Sequence, residues 1–193
     1  MPGKMEPDRI EVKSRAALRA WLAEHHDTAS SVWLVVYKKS SPHYLAWGDA
    51  VEELLCWGWV DSVTRRVDQE RSSYRISPRN PNSAWSAVNK AKVAAARASG
   101  AMTPAGEALI AAAKANGMWH FLDDVERLEL PADLQAALDE AVLRAAWDAY
   151  PRSVKRGALE WVKTAKTEPT RARRIADIAT SAREGRRPSP FRR

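Results

Sequence analysis

Six side chains between positions 61 and 89 could make a site: Asp61, Arg79, Ser83, Trp85, Ser86 and Asn89. Trp59 to Val67 alternates with a strand's period of two and places Asp61 on the same side as Trp59 and Val63. Its carboxylate is therefore expected to be half-buried, and a buried carboxylate needs hydrogen-bond donors. Arg79, or a helix N-terminus near Ser83, could supply them, which makes either a structural network or a pocket. Pro78-Arg79 leads into Asn82, Ser83, Trp85, Ser86 and Asn89, a run dense in donors. A helix capped by Asn82 or Ser83 would put Ser83, Ser86 and Asn89 or Lys90 on a common face. Backbone N–H groups at such a start, with Arg79 before them, can hold an anion. The alternative is ordinary capping with Trp85 in the core.

Other chemistry is thinner. Cys56 is the single cysteine, so neither an intrachain disulfide nor a cysteine-based zinc site can form. It falls near the C-terminal end of an expected helix, where the dipole disfavours a thiolate, so a buried structural thiol is expected. His25 and His26 are adjacent, diverge by about 100° on a helix and cannot share a metal; one is expected to pack and one to face solvent. A glycine-rich phosphate loop, a His-Glu-x-x-His pair and a nucleophile elbow are all missing from the sequence. No metal or cofactor is expected.

These residues need a scaffold, and composition sets its size. With 193 residues, 45% hydrophobic and 28% charged, the chain can bury one sizeable core with a helical appendage. Nine tryptophans are many for this length and serve cores and binding surfaces alike. The net charge of +7 is uneven: −2 over 1–61, +6 over 62–97, −6 over 98–150 and +9 over 151–193. Acidic and basic blocks can pack together, or a basic surface with Arg171, Arg173 and Arg174 can meet a polyanion. The first residues lack an apolar run resembling a secretory signal, and no segment reaches the roughly 20 apolar residues of a spanning helix. A cytoplasmic location without a membrane-spanning segment is the expectation.

Local signals order the elements. Ser14 caps a helix through about His26, and Val32–Tyr37, apolar on both faces, reads as a doubly covered strand. Asp49 and Glu52 are spaced as a capping box for a short helix that Gly58 stops. Trp59–Val67 and Ser73–Ile76 form a hairpin, and a further short strand is expected near Tyr44–Trp47. Helices follow from Asn82 or Ser83 to Ala98, after Thr103-Pro104 to Gly117, after Leu130-Pro131, after Tyr150-Pro151 and from Glu168 to Arg183. The stripe expected after Pro151 is Val154, Ala158, Trp161 and Ala165. The reading is an α+β fold: a small antiparallel sheet of three to four strands packed with N-terminal helices, then an all-helical region. Its expected divisions are an α+β core over 1–100, a helical region over 101–185 and a basic, flexible tail over 186–193.

The same residues resemble the YdeI/OmpD-associated (bacteriocin-protection, OmdA-like) family of bacteria and archaea, over roughly Ser14 to Gly185. The marks are Leu55-Cys56-Trp57-Gly58-Trp59-Val60-Asp61, Pro78-Arg79 with Ser83-x-Trp85-Ser86-x-x-Asn89, and Gly100-x-Met102. Further on are Leu130-Pro131-x-x-Leu134, Trp161-Val162-x-x-Ala165-Lys166 and Thr170-Arg171-x-Arg173-Arg174-Ile175. The resemblance implies protection against bacteriocins or cationic antimicrobial peptides, an association with an outer-membrane porin, and for many members a periplasmic location. This sequence departs from the last point in showing no signal peptide. The family supplies no catalytic residues to carry over and singles out Asp61, Arg79, Trp85, Ser86 and Asn89. Three functions follow as expectations: a non-enzymatic protection protein with a pocket for an anion or small ligand, an enzyme or binder of an anionic small molecule at Asp61 and Arg79, and, ranked last, a nucleic-acid-binding module using the basic C-terminal helices.

Overall fold

The computed structural model describes residues 8–192. Residues 1–7, where a secretory signal is not expected, and Arg193, the last residue of the basic tail, lie outside the described residues. Two compact units make up the chain, one ending at Phe121 and the other beginning at Leu122.

The first unit is α+β. Its elements run β1 (Arg9–Glu11), α1 (Arg15–His25), β2 (Val32–Tyr37), α2 (Trp47–Cys56), β3 (Trp59–Arg66), β4 (Arg71–Pro78), α3 (Ala87–Ala98) and α4 (Pro104–Ala115). The four strands form one sheet in the order β1-β2-β4-β3. β2–β4 and β4–β3 are antiparallel, and β1 joins β2 in parallel. The fourth strand is thus β1 and not Tyr44–Trp47, where a single bridge joins Tyr37 to Tyr44.

The apolar patterns place the core where expected. Leu18 and Leu22 of α1 and Leu54 of α2 pack on Val32, Leu34, Val36, Ile76 and Trp59 of the sheet. On the opposite sheet face Trp33 is buried with the Arg65 guanidinium 4.3 Å from its ring centre. A second cluster, Leu55, Trp85, Val93, Ile110 and Ala113, joins α2, α3 and α4.

Two helix starts differ from expectation. α2 begins at Trp47 without a side-chain cap, so Asp49 and Glu52 are not a capping box. Tertiary contacts override that signal: Trp47 stacks on Tyr74 at 3.4 Å and Lys92 Nζ donates to Gly48 O at 2.7 Å. α3 begins at Ala87 with Ser86 as its cap, three or four residues beyond the expected cap. Asn82 and Ser83 instead belong to a tight turn, closed by Ser83 N donating to Asn80 O and Asn82 N to Asn80 Oδ1, both at 2.9 Å.

The second unit is helical: α5 (Asp123–Glu126), α6 (Ala132–Ala137), α7 (Ala141–Ala149), α8 (Arg152–Lys163) and α9 (Glu168–Arg183). α5 and α7 have no counterpart in the expected order. In α8 the buried stripe is Val154, Ala158, Leu159 and Val162, turned away from the expected Trp161 and Ala165. The tail expected to be flexible folds back: Pro188 is buried, Ser189 N donates to Asp177 Oδ2 at 2.8 Å, and Phe191 lies against Gly157. A Cβ at Gly157 would meet the Phe191 ring 2.6 Å away.

Gly106 sets how closely α4 approaches the end of α2. A Cβ there would lie 2.8 Å from the Cys56 carbonyl carbon and 2.7 Å from Met102 Sδ. Thr103 Oγ1, the cap of α4, donates to the same Cys56 carbonyl at 2.6 Å. Gly106→Ala is expected to cost about 1–3 kcal/mol through overpacking. Gly48→Ala, helical and 3.4 Å from only the flexible Lys92 Nζ, is expected to be neutral or to gain up to about 1 kcal/mol. Urea unfolding of the two variants measures this contrast; equal effects would contradict the close-approach account.

Candidate functional site

β4 and the chain end of α2 converge on Gly58. Its φ of +74° ends α2, and its carbonyl accepts from Arg79 N at 2.9 Å as β4 runs out. That bond fixes where the Arg79 side chain leaves the sheet. It is 6% exposed, with the guanidinium carbon 4.2 Å from the centre of the Trp85 ring. Nη2 donates to Ala84 O at 2.6 Å, while the buried Nε has no hydrogen-bond partner among the described residues. Burial holds the guanidinium below its ordinary pKa.

Trp85 is fully buried, 5.1 Å from Trp119 ring to ring, with its backbone N donating to Met118 O at 3.2 Å. Lys90 Nζ and Lys114 Nζ lie 5.4 and 5.5 Å from the Trp119 ring centre. Two adjacent indoles are thus flanked by three cations. Ser86 follows directly and accepts from Asn89 N at 3.3 Å, so Ser86 and Asn89 are joined by the α3 cap. The shared helical face expected for Ser83, Ser86 and Asn89 does not form, because Ser83 precedes the helix within the turn.

Asp61 is not brought to Arg79. It pairs with Ile76 across the hairpin, whereas Arg79 lies opposite Gly58, three residues away. Three residues of extended strand span roughly 10 Å. The neighbour of Asp61 is Tyr74, whose phenol is pushed above its ordinary range, first by burial and then by the charge of Asp61.

Cys56 is fully buried, and its thiol is pushed up to about 11, first by burial and then by the charge of Glu53. His25 and His26 are both half-buried against indoles, at 5.0 Å from Trp21 and 4.8 Å from Trp57, so neither is simply solvated. Of the expected basic surface, Arg171 is paired with Asp133 at 2.6 Å, and Arg174 is turned onto Trp161, donating to its carbonyl. Arg173 is exposed. Among the described residues no group of three or more His, Cys, Asp and Glu side chains could hold a metal ion, and no helix is long and apolar enough to cross a membrane.

The sequence reading missed Glu53. Its carboxylate is 1% exposed and accepts from Arg15 Nε at 2.9 Å, Arg19 Nη1 at 2.8 Å and Trp57 Nε1 at 3.1 Å. Glu53, Arg15 and Arg19 edge an open groove of about 580 Å³ that also includes Glu52 and Gly100. A signal was present: Glu53 falls on the apolar stripe of α2 between Ala50 and Leu54, where a charge must be buried with partners.

With this geometry in hand, comparison with known families gives two matches. The family described as Domain of unknown function (DUF8412) matches residues 10–109, more than half of the chain. The chain belongs to that family. The family described as Bacteriocin-protection, YdeI or OmpD-Associated matches residues 127–185. The OmdA resemblance therefore stands over the helical second unit, while the Cys56–Asn89 stretch falls within the first match. No curated protein and no solved structure matches the chain.

A thiol held protonated in the core should resist alkylation. Iodoacetamide at pH 8 is expected to leave Cys56 unmodified in the native protein and to label it quickly in urea, where its pKa returns to about 8.5. Complete native labelling within minutes would contradict its burial.

Proposed function

We propose that the first unit binds a small anionic molecule at Arg79, against Trp85 and the start of α3. The observation that carries this reading is a guanidinium 6% exposed, with an Nε that has no hydrogen-bond partner, and no paired carboxylate, among the described residues. A buried charge without a counter-ion costs several kcal/mol. Stacking of a desolvated cation on Trp85 returns about 2 kcal/mol, and a charged hydrogen bond to Ala84 O about 1.5–3 kcal/mol. An anion in contact with the guanidinium offsets what remains. Arginine suits the task because its planar fork presents two N–H groups side by side to a carboxylate or phosphate. The positive end of the α3 dipole and the nearby Lys90 and Lys114 add to the attraction.

This reading is of a binding protein, not of an enzyme acting through Asp61 and Arg79 together, since their backbone positions lie roughly 10 Å apart along the strand. A nucleic-acid interface on the C-terminal helices draws less support, because Arg171 and Arg174 are already engaged within their own unit. The description of the family matching 127–185 supports a role for the second unit in bacteriocin protection.

Thermal unfolding in inorganic phosphate, against chloride at matched ionic strength, tests the proposal. The midpoint is expected to climb with phosphate, corresponding to about 2.7 kcal/mol at one hundred times Kd. Arg79→Met keeps an apolar stem on Trp85 and is expected to abolish the phosphate response. An equal response in variant and parent, or none in either, would overturn the reading.

A further inference from the structure

The second unit contains a cavity of about 280 Å³ between α5, α8, α9 and the loop before α6. Two cations, Lys163 and Arg171, and two acids, Asp124 and Glu129, line it around an apolar surface that includes Leu130 and Leu159. Each charge has an opposite within the unit. Lys163 Nζ lies 2.6 Å from both Asp124 oxygens, Arg171 Nε 2.6 Å from Asp133, and Glu129 2.6 Å from Arg127 Nε.

That balance bears on the occupant. A purely anionic or purely cationic guest would leave a charge of one sign uncompensated beside the half-buried Lys163 and Arg171. A guest carrying both signs keeps the site neutral. Its carboxylate would lie against Lys163 and Arg171, and its ammonium against Asp124 and Glu129. Arg171 uses three of its five N–H groups on Asp133 and the Val162 carbonyl, leaving two for a carboxylate. The volume lies below the roughly 300–1,000 Å³ of pockets for drug-sized ligands, so the guest is small.

The cavity wall is built with local strain. Leu128, just before Glu129, has φ +60°, the only non-glycine with positive φ among the described residues. It occupies the left-handed position after α5 that glycine usually takes, at a cost of roughly 1–2 kcal/mol. Leu128 N donates to Val125 O at 3.1 Å and Glu129 N to Asp124 O at 2.9 Å, which locks Glu129 and Leu130 into the wall. Strain retained beside a cavity is a common mark of a binding site.

We propose that this cavity, with its paired cations and acids around Leu130 and Leu159, binds a free α-amino acid with an apolar side chain. The site is separate from Arg79 and does not rest on the proposal made for it. Calorimetric titration with L-leucine, 4-methylpentanoate and leucinamide tests it on the intact chain. L-leucine is expected to bind saturably, and the two analogues, each lacking one charge, at least tenfold more weakly. Lys163→Gln is expected to weaken L-leucine at least tenfold and to leave leucinamide unchanged; Glu129→Gln is expected to weaken leucinamide and leave 4-methylpentanoate unchanged. The analogue series on the unaltered protein decides the matter if a variant does not fold. Failure of L-leucine to bind, equal binding of L-leucine and 4-methylpentanoate, or indifference to Lys163→Gln would overturn the proposal.

Discussion

A charge taken out of water has to be neutralised or hydrogen-bonded, and the first unit meets that constraint in two opposite ways. Glu53 is buried with three donors, and in satisfying it Arg15 and Arg19 tie α1 to α2 across the groove. Arg19 Nη2 also reaches Ala101 O at 3.0 Å, joining the turn after α3 to the same network. This buried acid is complete within the chain. Arg79 is buried almost as deeply, with one carbonyl and one indole face as its company. The difference between the two is what separates a completed structural network from the place where an anion is proposed to bind.

The backbone explains why Arg79 is held in that position. Gly58 ends α2 and accepts from Arg79 N, so the exit from β4 is pinned to the exit from α2. Gly106 then lets α4 close on the Cys56 carbonyl, and α3 and α4 hold Trp85 between them. The Arg79–Trp85 pair rests on three helices and a strand end, and this packing keeps the cation out of water.

Much of this was legible in sequence because it is local. Ser14 and Thr103 open helices where their types and spacing say so, and the period of two across Trp59–Val67 gives the hairpin. What failed was decided at long range. Asn82, Ser83 and Ser86 all have cap chemistry; contacts of Asn116 Nδ2 with Pro81 O at 3.0 Å and of Trp85 N with Met118 O favour the last. β1 is three residues long and exists only through parallel pairing with β2. The neighbourhood of Arg79, Trp85 and Ser86 was visible from their adjacency in the chain. The removal of Asp61 was not, since the register of β3 on β4 sets it. Asp61 is half-buried, as its alternation with Trp59 and Val63 gives, and the deeply buried acid is Glu53, on the inward stripe of α2.

The central claim, that the Arg79 guanidinium is the contact point for an anion, can be read on one nitrogen. In a ¹H–¹⁵N spectrum of the arginine Nε–H groups, the Arg79 signal is identified by its loss in Arg79→Lys. Titration with inorganic phosphate is predicted to shift that signal saturably while those of Arg15 and Arg19, already bound to Glu53, stay in place. An Arg79 signal unmoved while the phosphate concentration rises to tens of millimolar, or moving only in step with every other arginine, would contradict the account.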